Sequence, residues 1–445
     1  MAHTITPPPY ALLVLEQLER AGFEAWFVGG CVRDSLLGRV PGDWDVATSA
    51  RPNQVQACFT GFSTADVGAR HGTILVVAQG RPVEVTTYRQ DGSYSDSRHP
   101  DQVTFSPRLE DDLARRDFTI NAMAWHPRRG LRDCFGGQQD LAARQLRCVG
   151  DPDRRLSEDA LRVLRCLRFA AVLGFSVHPA TARALWGHKG LLPGVSKERV
   201  REELTKLLCG EAAPQVLREY SGIFFPLLPE LLPMCGCTQE TPYHCYTVWE
   251  HTLHALAHAP QEGALRWAAL LHDCGKPAAK FFSPDGVAHF YGHAAHSQRL
   301  AQQLLTRLRF SNKERERICS LVGAHSQALP LSEKRVKKLI GRYGAEWFFQ
   351  LLDLMAADNS GKQPGLCPPR LAQIEEARAL AAGILEQGAC LTLRGLAVKG
   401  DDLLSLGFAP GPALGDALRS LLDQVISEQL PNERDALLGA AKKRL

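Results

Sequence analysis

Apolar positions along this chain follow two patterns, helical intervals and strand-like runs. Leu12, Leu13, Leu15 and Leu18 recur at helical intervals and predict a helix over residues 10–21. Trp26-Phe27-Val28 is a strand-like run cut by Gly29-Gly30. A short helical segment follows, with Gly38 as its C-cap, and then a second strand-like run holding Asp43 and Asp45. Residues 72–77 and 82–88 are rich in β-formers and are separated by Gln79-Gly80-Arg81, the pattern of a hairpin. Residues 89–112 are polar and turn-rich, which predicts a long, mobile loop. Asp133 to Leu141 reads as a turn. From about residue 150 the period is helical and stays so. Ser157 reads as the N-cap of a helix with Glu158 and Asp159 in its first turn. Cys367-Pro368-Pro369 reads as a domain boundary.

The chemistry sits at the breaks in these patterns. Two glycines after a strand let the backbone approach a ligand with no Cβ in the way. The amides that follow, with Arg33 one turn on, suit a phosphate. Side chains at i and i+2 of a strand share a face, so Asp43-Trp44-Asp45 presents two carboxylates together. Such a pair needs a proton, a cation or open water. Hard oxygen ligands favour Mg²⁺, which keeps positions for water and substrate phosphates. Glu84 lies among β-branched neighbours, either as a harmless edge residue or as a third carboxylate. Arg115 and Arg116 precede an apolar segment and offer a clamp for a triphosphate.

Asp159 and Arg162 stand at i, i+3 with Arg165 and Arg168 continuing the ridge. Salt-bridged surface helices use the same spacing. A carboxylate only accepts and a guanidinium only donates, so side by side they match an amino donor next to a ring-nitrogen acceptor. Cytosine and adenine show that edge; uracil and guanine reverse it. A second constellation places His251, His272-Asp273 and Asp358 on successive helical segments, with His293, His296 and His325 between. Imidazoles with carboxylates suit a divalent metal. Lys334, Arg335, Lys337, Lys338 and Arg342 form a basic cluster that fits either RNA backbone or a solvated helix face.

Composition narrows the class. The chain has 445 residues, 45% hydrophobic and 22% charged, enough for two to four domains. A net charge of +4 gives no whole-protein field for nucleic acid. No apolar run approaches the ~18 residues of a membrane span, and the first residues lack a signal-peptide core. Thirteen scattered cysteines, with Cys235-Gly236-Cys237 the only tight pair, read as reduced thiols of a cytoplasmic protein.

Gly29-Gly30-Cys31-Val32-Arg33-Asp34 and Asp43-Trp44-Asp45 together resemble the signature of DNA-polymerase-β-like nucleotidyltransferases. The resemblance is to the bacterial branch that holds tRNA CCA-adding enzymes and poly(A) polymerases. The segments at 113–124, 133–141, 157–171 and 195–208 extend it in the family's order. The resemblance implies an α/β polymerase-β-like nucleotidyltransferase head followed by all-α neck, body, HD and tail regions. Its domains would be head 1–148, neck and body 149–235, HD 236–362 and tail 370–445. It implies Mg²⁺ on Asp43 and Asp45 with Glu84 beside them. The triphosphate would lie on Gly29, Gly30, Arg33 and Arg116. Asp159 and Arg162 would read the base, and Arg165 and Arg168 would support the nucleotide or primer end. The partners implied are tRNA, ATP and CTP, with no membrane. An A-adding enzyme or poly(A) polymerase shares nearly all these motifs. Residues 244–360 resemble the HD phosphohydrolase superfamily. That resemblance implies a second divalent metal on His251, His272, Asp273 and Asp358, and hydrolysis at RNA ends or of nucleotides. Residues 391–425 resemble the tail of clostridial-type members, with Gly407, Gly411 and Gly415 around a helix start that would meet tRNA backbone.

Overall fold

Four wholly buried residues, Ala25–Val28, form β1, the strand from which the head is built. In the computed structural model, which describes residues 5–68, 72–92, 102–241, 245–362 and 367–443, the chain divides into two compact units, Met1–Leu227 and Leu228–Leu445. The first opens with α1 (Pro9–Arg20), which buries Val14, Leu15 and Leu18. After β1 come α2 (Gly30–Leu36), β2 (Asp45–Thr48), α3 (Pro52–Cys58), β3 (Ser63–Gly68), β4 (Thr73–Ala78) and β5 (Arg81–Thr87). A short pair, β6 (Arg89–Asp91) and β7 (Val103–Phe105), leads to α4 (Leu109–Ala114), β8 (Met123–His126), β9 (Gly130–Asp133) and α5 (Gly137–Ala142).

The seven-stranded sheet runs β3-β4-β5-β2-β1-β8-β9. Only the central β2–β5 pair is parallel, with Val46 opposite Val85; the other pairs are antiparallel. Trp26, Val28, Ala47 and Ala124 pack on Tyr88, Leu109 and Leu113 of the following segment. The β4–β5 turn holds Gln79 at φ 49° and Gly80 at φ 74°, the positive-φ pair of a tight hairpin. The polar stretch 89–112 is a loop only in part. Its flanks pair as β6 and β7 and its end is α4, while residues 93–101 lie outside the described residues.

The helical part of this unit begins with β10 (Gln145–Leu146), α6 (Pro152–Glu158) and α7 (Leu161–Leu173). It continues through β11 (Ser176–Val177), α8 (Pro179–His188), α9 (Lys197–Leu208), α10 (Ala213–Glu219) and α11 (Ser221–Phe224). Asp151 caps α6 by accepting from Asp153 N, with Pro152 at the first helical position. Ser157 is therefore not an N-cap. It lies inside α6, where its hydroxyl donates to Arg154 O.

Among the described residues the second unit is helical apart from one two-stranded ribbon. It contains α12 (Val248–His258), α13 (Gly263–Leu271), α14 (Lys276–Ala279), β12 (Phe281–Phe282), β13 (Ala288–His289), α15 (His293–Arg307) and α16 (Asn312–Ala324). Then follow α17 (Glu333–Tyr343), α18 (Ala345–Ser360), α19 (Cys367–Glu386), α20 (Gly400–Ser405), α21 (Pro412–Ile426) and α22 (Arg434–Lys442). Trp267, Trp347 and Phe348 fill its core, and α20–α22 close a smaller cluster around Leu403, Leu421 and Leu437. Cys367-Pro368-Pro369 opens a twenty-residue helix rather than a linker, since prolines are tolerated in a first turn. Among the described residues no helix is long and apolar enough to cross a membrane.

Candidate active site

The Gly-Gly turn after β1 is tightened by close neighbours. Gly29 sits at φ 76° and ψ −128°, and a Cβ there would lie 2.8 Å from Arg116 Nη1. A Cβ on Gly30 would lie 3.8 Å from Arg33 Nη2. Two guanidinium groups thus flank the two glycines. Arg33 is held through Asp34 by Nε at 2.8 Å and Nη2 at 2.9 Å, and its Nη1 donates to Asn121 Oδ1 at 2.6 Å. Arg116 Nη2 donates to Asp112 at 3.1 Å, while its Nε is buried without a hydrogen bond. Arg115 does not share this position. Its Nε and Nη2 donate to Asp112 Oδ1 at 2.9 and 2.6 Å. The two arginines end α4 rather than begin a helix, and successive residues there point apart.

The carboxylates stand across from Arg116. Trp44 is buried with its ring edge-on to Phe27 at 5.0 Å, so Asp43 and Asp45 alternate to its other side. Only Asp45 belongs to β2; Asp43 is exposed and precedes the strand. The parallel register brings Glu84 of β5 beside Asp45. Burial pushes the Asp45 carboxyl up to about 7, Asp43 and Glu84 add to that, and Arg116 opposes it. One cation among three carboxylates leaves negative charge for a divalent metal to neutralise, so the residues fit one. The trio is open: no group here has three ligand atoms all within 4.8 Å among the described residues.

A polar relay links this turn to α7. Asn121 Nδ2 donates to Asp117 Oδ1 at 3.1 Å, and Arg165 donates to Asp117 Oδ2 from Nε and Nη2 at 3.0 and 2.7 Å. Burial would raise Asp117, but Arg165, Asn121 and Arg162 outweigh it and hold the carboxyl well below its usual value. Arg168 Nε donates to Glu203 at 2.5 Å, and the Arg168 guanidinium carbon lies 3.9 Å from the Phe169 ring centroid. Asp117, Asn121 and Glu203 were not singled out in the sequence. Their only signal was polar residues inside the apolar 113–124 segment and on the α9 face.

Asp159 and Arg162 are not paired with each other. Asp159 is extended between α6 and α7, where its Oδ1 accepts from Leu161 N at 3.0 Å and its Oδ2 accepts from Arg199 at 2.8 Å. Arg162 Nη1 donates to Glu158 at 2.6 Å and to Arg155 O at 2.8 Å. Glu158 and Arg199 therefore belong to this position too. A break in the helix, invisible as periodicity, places them.

The second unit gathers His251, His272, Asp273 and Asp358, all buried, with their ligand atoms within 4.8 Å of one another. Asp273, His293 and His325 form a second group sharing Asp273. Nδ1 lies 2.9 Å from Gly361 O in His251 and 2.8 Å from Ala269 O in His272. It lies 2.8 Å from Phe290 O in His293 and 2.7 Å from Val322 O in His325. A carbonyl only accepts, so each Nδ1 donates and each ring turns its Nε2 inward. The four Nε2 atoms lie 3.2, 3.2, 3.4 and 3.6 Å from Asp273 oxygens. Lone pairs facing a carboxylate repel unless a proton or cation intervenes. Burial opposes charge on His272, yet Asp273 and Asp358 outweigh it and push its pKa up to about 10. Lys276 approaches Asp273 to 2.7 Å, but neither Asp273 oxygen receives a well-directed hydrogen bond. These donors fit a divalent metal, with backbone carbonyls orienting the imidazoles. His296 does not join them; its Nδ1 accepts from Arg299 at 2.7 Å.

The basic cluster on α17 is largely spoken for. Lys337 pairs with Glu333 and Glu428, Lys338 with Asp423, and Arg335 donates to Gln327. Gly411 caps α21, with Gly407 before it and Gly415 in its first turn.

Three family models match the chain. They are "Poly A polymerase head domain" over residues 25–147, "Probable RNA and SrmB- binding site of polymerase A" over 174–235, and "tRNA nucleotidyltransferase domain 2 putative" over 286–441. The CCA-adding enzyme of Levilactobacillus brevis is 34% identical over 429 residues, 96% of each chain. That of Geobacillus thermodenitrificans is 50% identical over 212 residues, 47% of this chain and 52% of that one. The crystal structure of the Bacillus stearothermophilus CCA-adding enzyme in complex with CTP matches with a TM-score of 0.73 and 29% identity, over 99% of this chain and 98% of that one.

Proposed function

The chain belongs to the family of CCA-adding enzymes, and from that premise we propose that it adds CMP, CMP and AMP from CTP and ATP to the 3′ end of tRNA without a template. The 3′-hydroxyl of the tRNA attacks the α-phosphate of the bound nucleotide, and pyrophosphate leaves. One observation carries the assignment of residues: two guanidiniums flank Gly29-Gly30, and Asp43 and Glu84 lie close enough to Asp45 to oppose its charge. We assign Mg²⁺ to Asp43 and Asp45, with Glu84 adjacent; when bound it neutralises phosphate charge and acidifies the attacking hydroxyl. Arg33 and Arg116 hold the triphosphate and keep hold of the departing pyrophosphate. Asp159 and Arg162 read the amino and ring-nitrogen edge common to cytosine and adenine. Arg165 and Arg168 stiffen that ridge through Asp117 and Glu203.

We assign residues 1–148 to the transferase head, 149–235 to base recognition and RNA contact, 236–362 to the histidine-aspartate region and 370–445 to a tRNA-binding tail. In that tail Gly407, Gly411 and Gly415 meet the backbone. We infer a cytoplasmic location, where tRNA is used.

The test is extension of tRNA ending at the discriminator base with CTP, with ATP and with both. CC with CTP and a stop at CCA with both supports the reading. ATP-only addition to tRNA ending in CC makes it an A-adding enzyme, and long A tails make it a poly(A) polymerase.

A second reading rests on the four inward Nε2 atoms around Asp273. His251, His272, Asp273 and Asp358 would hold a divalent metal, with His293 and His325 beside it. The activity would be hydrolysis of phosphate esters at RNA ends or on nucleotides. Phosphate release that survives Asp43→Ala and stops in Asp358→Ala tests it.

A further inference from the structure

The two-stranded ribbon β12–β13 carries an unusual surface. Phe281 is 45% exposed, Phe282 56% and Tyr291 75%. Phe281 pairs with His289 across the strands, their rings stacked at 5.4 Å and 27°. His289 stacks on Tyr291 at 5.4 Å and 16°, and Phe281 lies 5.5 Å from Tyr291. The three rings thus form one triangular cluster, with Phe281 and Tyr291 exposed and His289 half-buried between them. Ordinary burial does not explain it, because the rings leave large faces uncovered.

The stack borders the histidine-aspartate centre. His289, Phe290 and Tyr291 line the same cavity of about 500 Å³ as Asp273, His293, His325 and Asp358. Lys276, Lys362 and Arg370 line it too, and the Arg370 Nε is buried without a hydrogen bond. Exposure falls among the lining residues, from exposed Tyr291 through half-buried Lys362 and Arg370 to buried Asp273 and Asp358. Each level matches one part of a nucleotide: base, phosphate, and the ester bond at which a metal acts.

We propose that Phe281, His289 and Tyr291 form a base-stacking platform that seats the terminal nucleoside of a phosphate-ended RNA or a free nucleotide. Its phosphate is directed past Lys362 and Arg370 to the histidine-aspartate centre. The proposal rests on the hydrolase reading of that centre and adds the residues that seat the base of its substrate. Stacking serves any base, because every base has a π-face, so the platform selects nucleotides over other phosphate esters without selecting among bases. In the hydrolysis itself water oxygen bonds to phosphorus, the ribose oxygen leaves with the bonding pair, and that oxygen takes up a proton.

The full-length chain tests this in two ways. First, a short RNA ending in 4-thiouridine 3′-phosphate, and 4-thiouridine 3′-monophosphate itself, are photocrosslinked to Asp358→Ala protein in chelator, and the crosslinks are mapped. The expected crosslinks fall in the 281–291 peptide and disappear in Tyr291→Ala combined with Phe281→Ala. Crosslinks only on the head, or none, overturn the platform. Capture of the oligonucleotide but not the mononucleotide identifies RNA as the source. Second, phosphate release is compared between a 3′-phosphorylated RNA and the same RNA with an abasic last residue. The wild-type preference for the base-bearing substrate should drop about tenfold in Tyr291→Ala, the scale of one lost base stack, and be restored by Tyr291→Phe. An unchanged preference overturns the proposal. If wild-type protein releases phosphate from neither substrate, the hydrolase reading fails, and the crosslink map alone decides the platform.

Discussion

Replacing Gly29 by alanine separates backbone strain from the loss of a charged contact. Gly29 and Gly22 both have positive φ, 76° and 86°. A Cβ on Gly22 meets nothing within 4 Å, whereas one on Gly29 falls 2.8 Å from Arg116 Nη1. Gly22→Ala therefore pays only for left-handed backbone, about 1–2 kcal/mol of stability. Gly29→Ala carries about 1–3 kcal/mol for a glycine-only conformation, and it also pushes the Arg116 guanidinium off the turn. Charged hydrogen bonds are worth about 1.5–3 kcal/mol each. Losing those between Arg116 and the triphosphate should lower kcat/KM for CTP and ATP by about 10- to 100-fold. Urea unfolding and steady-state incorporation of labelled nucleotide into tRNA measure the two effects. Gly22→Ala should lose stability and keep its kcat/KM. Wild-type kcat/KM in Gly29→Ala, or an equal fall in Gly22→Ala, refutes the placement of Arg116.

Asp43→Ala should abolish tRNA extension while leaving tRNA binding mostly intact in a gel-shift assay; equal activity would sink the carboxylate assignment. Asp117→Asn should cost about 2–3 kcal/mol, less than a fully buried pair because Arg165 is a third exposed and keeps Glu203 at 3.6 Å. Arg165 holds the folded carboxyl below its ordinary 3.8 despite burial, so this stabilisation is present above about pH 4 and is lost on further acidification. Urea unfolding of the two proteins should differ equally at pH 5 and 8 and the difference should begin to narrow below about pH 4; a gap that widens in acid contradicts the pairing. Burial pushes the thiols of Cys31, Cys148 and Cys274 up to about 12, whereas Cys134 and Cys245 are exposed. Maleimide at pH 8 should label Cys134 and Cys245 first, and mass spectrometry showing early labelling of Cys31 would count against the buried α2.

The sequence was most readable where chemistry and backbone rules coincide. Gly29 shows itself because no other residue takes that φ and ψ. Asp43 and Asp45 show themselves because alternation around Trp44 survives even where the hydrogen-bonded ladder stops. The inward histidines were legible from residue type and order, but not His296, whose neighbour Arg299 claims it. What stayed hidden is long-range. Arg165 meets Asp117 from 48 positions away and Arg199 meets Asp159 from 40, and no local period encodes either. Ser157 misled because Asp151-Pro152 already starts a helix, and Asp159 breaks it two residues later.

That break has a consequence for accuracy. Asp159 and Arg162 already hold partners, Arg199 and Glu158. If Asp159 and Arg162 read the base as proposed, a docking base has to outcompete two resident ligands of opposite sign, one for the carboxylate and one for the guanidinium. A cytosine or adenine edge offers a donor and an acceptor in the matching order and can replace both together. A uracil or guanine edge offers them reversed, so the protein's own side chains win. On that reading rejection would require no clash with the wrong base: the internal competitors Arg199 and Glu158 would set the threshold a base has to pass.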